Sequence, residues 1–121
     1  MPHLILEITE NTRLTCSQEE LLDEANAALL ATGQFNEPDI KSRCVTLSTY
    51  RQGTENLDRA FVHATLWILD GRDQAVRKQV AQVVCDAITE AVRPGSGQNV
   101  QVSVNVLEME RATFAKQIIG E

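Results

Sequence analysis

What most constrains this chain is a hydrophobic rhythm that passes twice through the same cycle, from period 2 to period 3.6 and back to period 2. Pro2 to Ile8 alternates Leu4, Leu6 and Ile8 with His3, Ile5 and Glu7, the pattern of a strand with one face more apolar than the other. Ser17-Gln18-Glu19-Glu20 is a capping box, in which hydroxyl and carboxylate satisfy orphan amide donors reciprocally. Leu21, Leu22, Ala25, Ala28 and Leu29 then form one helical stripe, and Gly33 sits where a left-handed residue ends a helix. The spacing predicts a helix over 18–32. Beyond Pro38-Asp39, the stretch Ile40 to Tyr50 is rich in β-branched residues and alternates, so it reads as a long second strand.

After the polar turn Gln52 to Asn56 the cycle restarts. Ala60 to Leu69 is almost continuously apolar or β-branched, as a strand covered on both faces is, which puts it in mid-sheet or under a subunit contact. Asp73 can N-cap a helix in which Val76, Val80, Val83, Val84, Ala87, Ile88 and Ala91 keep helical spacing until Pro94-Gly95. Val100, Val102, Val104 and Val106 alternate with Gln101, Ser103, Asn105 and Leu107 as a half-buried last strand. The order is β-α-β-β-α-β in a single domain, residues 1–121, with halves of about 1–57 and 58–121. A right-handed crossover in each half pairs its strands in parallel. The expected fold is α+β, a four-stranded mixed sheet with two helices on one face. The other face is then bare, and oligomerisation is the simplest way to bury it.

Length and charge narrow the function classes. A chain of 121 residues buries roughly 65% of its unfolded surface, enough for a core without disulfides or a structural metal. The 11 Lys and Arg stand against 17 Asp and Glu, a net charge of −6, and they are scattered in ones and twos. That distribution lacks the basic stripe of a nucleic-acid binder. The apolar runs are far shorter than the roughly 20 residues that span a bilayer, and the N-terminus has no basic and apolar leader, so no membrane association and a cytoplasmic location are expected. Cys16, Cys44 and Cys85 are odd in number and widely spaced, which suits reduced thiols rather than a disulfide framework or metal site.

The chemistry-bearing motifs are few. No glycine-rich phosphate loop, metalloprotease or nucleophile-elbow motif is present, and His3 and His63 are the only imidazoles. His63, inside an apolar strand, reads as a packed or interface histidine. Two features stand out. Pro2 opens a strand directly after the initiator methionine, which methionine aminopeptidase normally removes before a small residue; the mature chain would then begin with a secondary amine. Such an amine is a base only when unprotonated, and desolvation and nearby cations both lower its pKa. Moving a pKa by one unit takes about 1.4 kcal/mol, within reach of a partly buried amine beside one or two arginines. The second feature is Gly71-Arg72, just before a helix N-terminus, where a guanidinium can hold a carboxylate through two bonds.

Taken with the repeat, these residues resemble the tautomerase superfamily, and within it the 5-carboxymethyl-2-hydroxymuconate Δ-isomerase family. The resemblance is carried by Met1-Pro2-His3-Leu4-Ile5-Leu6-Glu7, Ala31-Thr32-Gly33, Ile40-Lys41-Ser42-Arg43, and above all Ala60-Phe61-Val62-His63 with Leu66, Ile68 and Gly71-Arg72. It covers essentially the whole chain. It implies a tautomerase/MIF-like homotrimer whose sheets form a central barrel, with proline-based sites near subunit contacts. The implied reaction is a 1,3-allylic keto-enol proton shift in a hydroxymuconate-type di- or tricarboxylate of homoprotocatechuate breakdown. Pro2 would be the general base, Arg72 would stabilise dienolate charge, and Lys41 and Arg43 would bind the anionic substrate. No metal or organic cofactor is implied. Lys41 stands where relatives often carry arginine, so the guanidinium fork is missing there. The tail Phe114-Ala115-Lys116-Gln117 resembles the family end, whereas Ile118-Ile119-Gly120-Glu121 lacks the expected asparagines. The fold plus Pro2 also admits a phenylpyruvate-type tautomerase or a haloacrylate dehalogenase, for which Glu7, Glu108 or Glu110 would activate water, and a non-catalytic trimeric binding module.

Overall fold

The computed structural model of the protein describes residues 1–120; Glu121, the end of the tail, lies outside the described residues. The chain runs β1 (His3–Thr9), α1 (Gln18–Ala31), a 3-10 turn (Glu37–Asp39), β2 (Lys41–Leu47), β3 (Arg59–Leu69), α2 (Gln74–Ala91), β4 (Asn99–Met109) and a second 3-10 turn (Arg111–Thr113). The capping box forms as its sequence requires: the Glu20 amide donates to Ser17 Oγ and the Ser17 amide to Glu20 Oε1. Gly33, at φ +74°, supplies the left-handed residue after α1. Asp73 caps α2, its Oδ1 accepting from the Val76 amide at 3.0 Å.

The four strands lie in the order β2-β1-β3-β4. Parallel pairs β1–β2 and β3–β4 are the two β-α-β halves, and β1 and β3 join them antiparallel. The sheet is therefore mixed, with its two central strands contributed one from each half. Leu21, Ala25 and Leu29 of α1 and Val80, Val84 and Ile88 of α2 are fully buried in one core with Leu4, Leu6, Val62, Ala64, Leu66 and Ile68 of the sheet. Every one of those strand positions is even-numbered, because period-2 alternation in register places one parity on the helix side throughout.

One strand is shorter than its sequence pattern. The second strand stops at Leu47 rather than reaching Tyr50. Among the described residues β2 is an edge strand paired with β1 alone, and β1 turns away at Thr9, where the Thr12 amide donates back to the Thr9 carbonyl; after the Glu10 amide bonds Leu47 O, none of them remains to pair. β3 is central, as its composition suggested, but within one subunit only its even face is buried; Phe61, His63, Thr65, Trp67 and Leu69 are half-exposed on the side without helices. Thr9, the buried polar residue at that end, is satisfied: its Oγ1 accepts from the Phe61 amide and bonds the Thr12 hydroxyl. All three cysteines are free.

Candidate active site

Pro2 is fully buried at the head of β1. A proline suits the first residue of a strand, where its missing N–H leaves no ladder bond unmade. Its carbonyl accepts from the Lys41 amide at 3.1 Å, just ahead of the His3↔Lys41 pair that opens the β1–β2 ladder. The Lys41 side chain bridges that junction, its Nζ donating to the Asp39 carbonyl at 3.2 Å and to Met1 Sδ at 3.3 Å.

Arg72 reaches the same end of the sheet from the β3–α2 turn, which Gly71 opens at φ +116°. Its guanidinium is held on three sides: Nε donates to Gln34 Oε1 at 3.3 Å, Nη2 to Gln34 O at 2.8 Å and Nη1 to Leu69 O at 3.4 Å. Below it lies the ring of Phe35, with Cζ 4.8 Å from the centroid. The arginine is thus fixed in one rotamer by the α1–β2 connection, while one proton on each terminal nitrogen remains for an anion.

These charges converge on the N-terminal amine. Burial pushes the Met1 ammonium below its ordinary range, Asp39 pulls it back up, and Arg72, Lys116 and Lys41 push it down again. The Pro2 nitrogen is one peptide unit away, about 3.5 Å. Lys116, in the tail after β4, closes on Asp39 Oδ1 at 2.6 Å and holds that carboxyl below the usual carboxylate range.

Of the four residues singled out in the sequence, the structure gathers Pro2, Lys41 and Arg72 at one sheet end. Arg43 stands two residues further along β2 on the open face, where Nη1 lies 3.4 Å from His3 Nδ1. Burial, then Arg43 and Lys41, depress the pKa of His3. Gln34, Phe35, Asp39 and Lys116 were not singled out. Phe35 alone left a trace, as the one large apolar side chain in the polar stretch from Thr32 to Asp39. Glu7, a candidate for water activation, is five strand residues from Pro2, roughly 16 Å. It pairs across from His63, whose Nδ1 bonds Ser103 Oγ at 2.7 Å on the open face. A cavity of about 390 Å³ lined in part by Glu10, Tyr50, Gln52 and Arg59 lies at the opposite end of the sheet from Pro2. Among the described residues no three His, Cys, Asp or Glu side chains gather as metal ligands would, and no helix is long and apolar enough to cross a membrane.

The fold is the tautomerase fold, shared with macrophage migration inhibitory factor-like proteins, and the chain is an isomerase of the tautomerase superfamily. The model of one family in particular, 5-carboxymethyl-2-hydroxymuconate isomerase, matches residues 2–119. This chain belongs to that family. It is 34% identical over 88 residues to the 5-carboxymethyl-2-hydroxymuconate Delta-isomerase of Escherichia coli, an alignment covering 73% of this chain and 70% of that one. The crystal structure of a 5-carboxymethyl-2-hydroxymuconate isomerase from Deinococcus radiodurans R1 superposes with TM-score 0.79 at 29% identity, covering 96% of this chain and 88% of that one. A symmetric trimer of fused 4-OT shares the fold at 13% identity, with TM-score 0.67 over 95% of this chain and 93% of that one.

Proposed function

We propose that this isomerase shifts a proton between the ends of an allylic system in a hydroxymuconate-type di- or tricarboxylate, with the freed amine of Pro2 as general base, in the breakdown of aromatic compounds such as homoprotocatechuate. The observation that carries the reading is the set of Arg72, Lys41 and Lys116 around a buried N-terminal junction in a chain whose total charge is −6. Once Met1 is removed, the amine takes a proton from an enol oxygen or carbon, the C=C bond moves along, and the same proton is returned at the far end. Charge that builds on the substrate oxygen during this transfer is met by Arg72, already fixed by Gln34, Leu69 and Phe35 and so needing no reorganisation. Lys41 offers a point charge to a carboxylate, and Arg43 extends the positive strip along the open face. A base and charge stabilisation suffice for this shift, without a cofactor.

The open sheet face favours a homotrimer in which that face is covered by neighbouring subunits, as the symmetric trimer sharing this fold suggests. Sedimentation at micromolar concentration is expected to report three subunits, and a monomer would contradict this arrangement. The test of the mechanism is Pro2→Ala combined with intact mass. The active enzyme is expected to lack its initiator methionine, and the variant to lose about 10²- to 10⁴-fold in turnover, the usual contribution of a positioned general base. Retained Met1, which leaves Pro2 as an amide, or an undiminished turnover in the variant would overturn the mechanism.

A further inference from the structure

The C-terminal segment crosses the sheet end at which Pro2 sits. β4 ends at Met109, paired with Leu69 of β3, and seven residues later Lys116 is bonded to Asp39 beside the head of β2, on the other edge of the sheet. Three strand spacings separate those edges, about 14 Å, which 110–116 covers easily. Both ends of the strap are fastened. The Arg111 amide donates to Asp70 Oδ1 at 3.3 Å and its Nη2 to the Asp70 carbonyl at 2.9 Å, next to Gly71-Arg72. At the far end, Lys116 Nζ bonds Asp39 Oδ1 at 2.6 Å.

Asp39 is the group on which this matters. Lys41 Nζ bonds both the Asp39 carbonyl and Met1 Sδ, which brings the two residues together, and among the described residues the Asp39 carboxylate is the one group that favours the protonated form of the Met1 amine. The charged and titratable groups around that amine are His3 on β1, Asp39 on the 3-10 turn, Lys41 at the start of β2, Arg72 on the β3–α2 turn and Lys116 on the strap. Lys41 approaches Asp39 through the backbone carbonyl and leaves the carboxylate to Lys116.

We propose that Lys116 is a positioning residue for proton transfer: by closing on Asp39 it neutralises the carboxylate beside the N-terminal amine and keeps that amine able to accept a proton. This rests on Pro2 being the base and adds the residue that maintains it. Without Lys116, the Asp39 charge is opposed only by Arg72 and Lys41 among the described residues, the ammonium form gains, and the amine gives up its proton at higher pH.

The experiment is a titration of the Pro2 nitrogen by NMR in protein carrying 15N-proline, alongside the pH profile of kcat/KM. The proteins are the wild type, Lys116→Met, Lys116→Arg, Asp39→Asn and the Asp39→Asn/Lys116→Met double variant. Lys116→Met is expected to move the midpoint and the acid limb of kcat/KM upward while leaving the high-pH plateau in place, and Lys116→Arg to restore the wild-type midpoint. Asp39→Asn is expected to move the midpoint downward, and in that background the Lys116 substitution is expected to have a much smaller effect. A strap with only a structural role would change thermal stability and leave the midpoint alone. An unmoved midpoint in Lys116→Met, or an equal shift with and without Asp39, overturns the proposal while leaving Pro2 as the base. A Pro2 nitrogen that does not titrate, with Met1 retained in the intact mass, overturns both.

Discussion

The two faces of the sheet are made from the same four strands, and neighbouring residues alternate between them, yet the faces are finished differently. The even-numbered face is closed within the chain: Leu4, Leu6, Val62, Ala64, Leu66 and Ile68 are fully buried beneath α1 and α2. The odd-numbered face mixes Ile5 and Trp67 with His3, Glu7, Lys41, Arg43, His63 and Ser103, and its side chains bond one another, as in Arg43 with His3 and His63 with Ser103. A strand can therefore carry stability on one parity and polar chemistry on the other, because the two sets of side chains never share an environment. Pro2 sits where the distinction ends. Its ring belongs to the covered face and its nitrogen to the sheet end, where Lys41, Arg72 and the strap arrive.

Substitutions can break that comparison or sharpen it. The loss of about 10²- to 10⁴-fold in turnover expected of Pro2→Ala is the largest effect. It should leave the oligomer in place, since the ladder bond from the Lys41 amide goes to the backbone of residue 2. Leu66→Ala, deep in the covered face, should cost about 2–5 kcal/mol in chemical denaturation, while turnover per folded subunit stays near wild type. Comparable losses of activity and stability from both variants would show that the faces are not separable. Arg72→Ala comes next. Charge-assisted hydrogen bonds contribute about 1.5–3 kcal/mol, so carboxylated substrates should lose about 10- to 100-fold in kcat/KM. Equal behaviour with acid and ester substrates would remove Arg72 from the site.

The smallest effect is a pH dependence on the open face. His3 has its pKa lowered by burial and then by Arg43 and Lys41, so between the folded and unfolded values the unfolded chain binds more protons. Its contribution to stability is present above the ordinary histidine range near 6.5 and is lost as pH falls through the folded value. Urea unfolding between pH 8 and 5 should show a downward slope on acidification that flattens in His3→Gln, and an unchanged slope would place the effect elsewhere. Leu66→Ala should shift the whole curve down without altering that slope.

Much of the fold was legible because its signals are local. The Ser17 box, the Asp73 cap and the β-α-β periodicities each depend on residues within a turn or two of one another. The end of β2 was not legible, since the pattern continues to Tyr50 while the neighbour that would pair with it has already turned away at Thr9. Nor could the alternation of β3 be read, because its open-face residues Phe61, Trp67 and Leu69 are as apolar as its buried ones. Of the residues gathered at that sheet end, Pro2, Lys41 and Arg72 stand out in the sequence through the proline, the Gly-Arg turn and the family resemblance. Gln34, Phe35, Asp39 and Lys116 carry no such mark: a glutamine, an aspartate and a lysine in connecting segments look like solvated surface until the chain is folded.

By itself, then, the sequence determined which segments are strands and helices, where the helices begin, and which parity of β1 and β4 is the more apolar. These properties follow from backbone capping and side-chain spacing over a few residues. Tertiary structure decided the strand order β2-β1-β3-β4 and the antiparallel meeting of β1 with β3, which bring the start of β1, the start of β2 and the end of β3 to one edge of the molecule. Residues 2, 41 and 72 are neighbours for that reason, and the segment after β4 brings Lys116 to Asp39 across the same end. Their charges act through space over a few ångströms, and only packing of the two halves onto one core sets those distances.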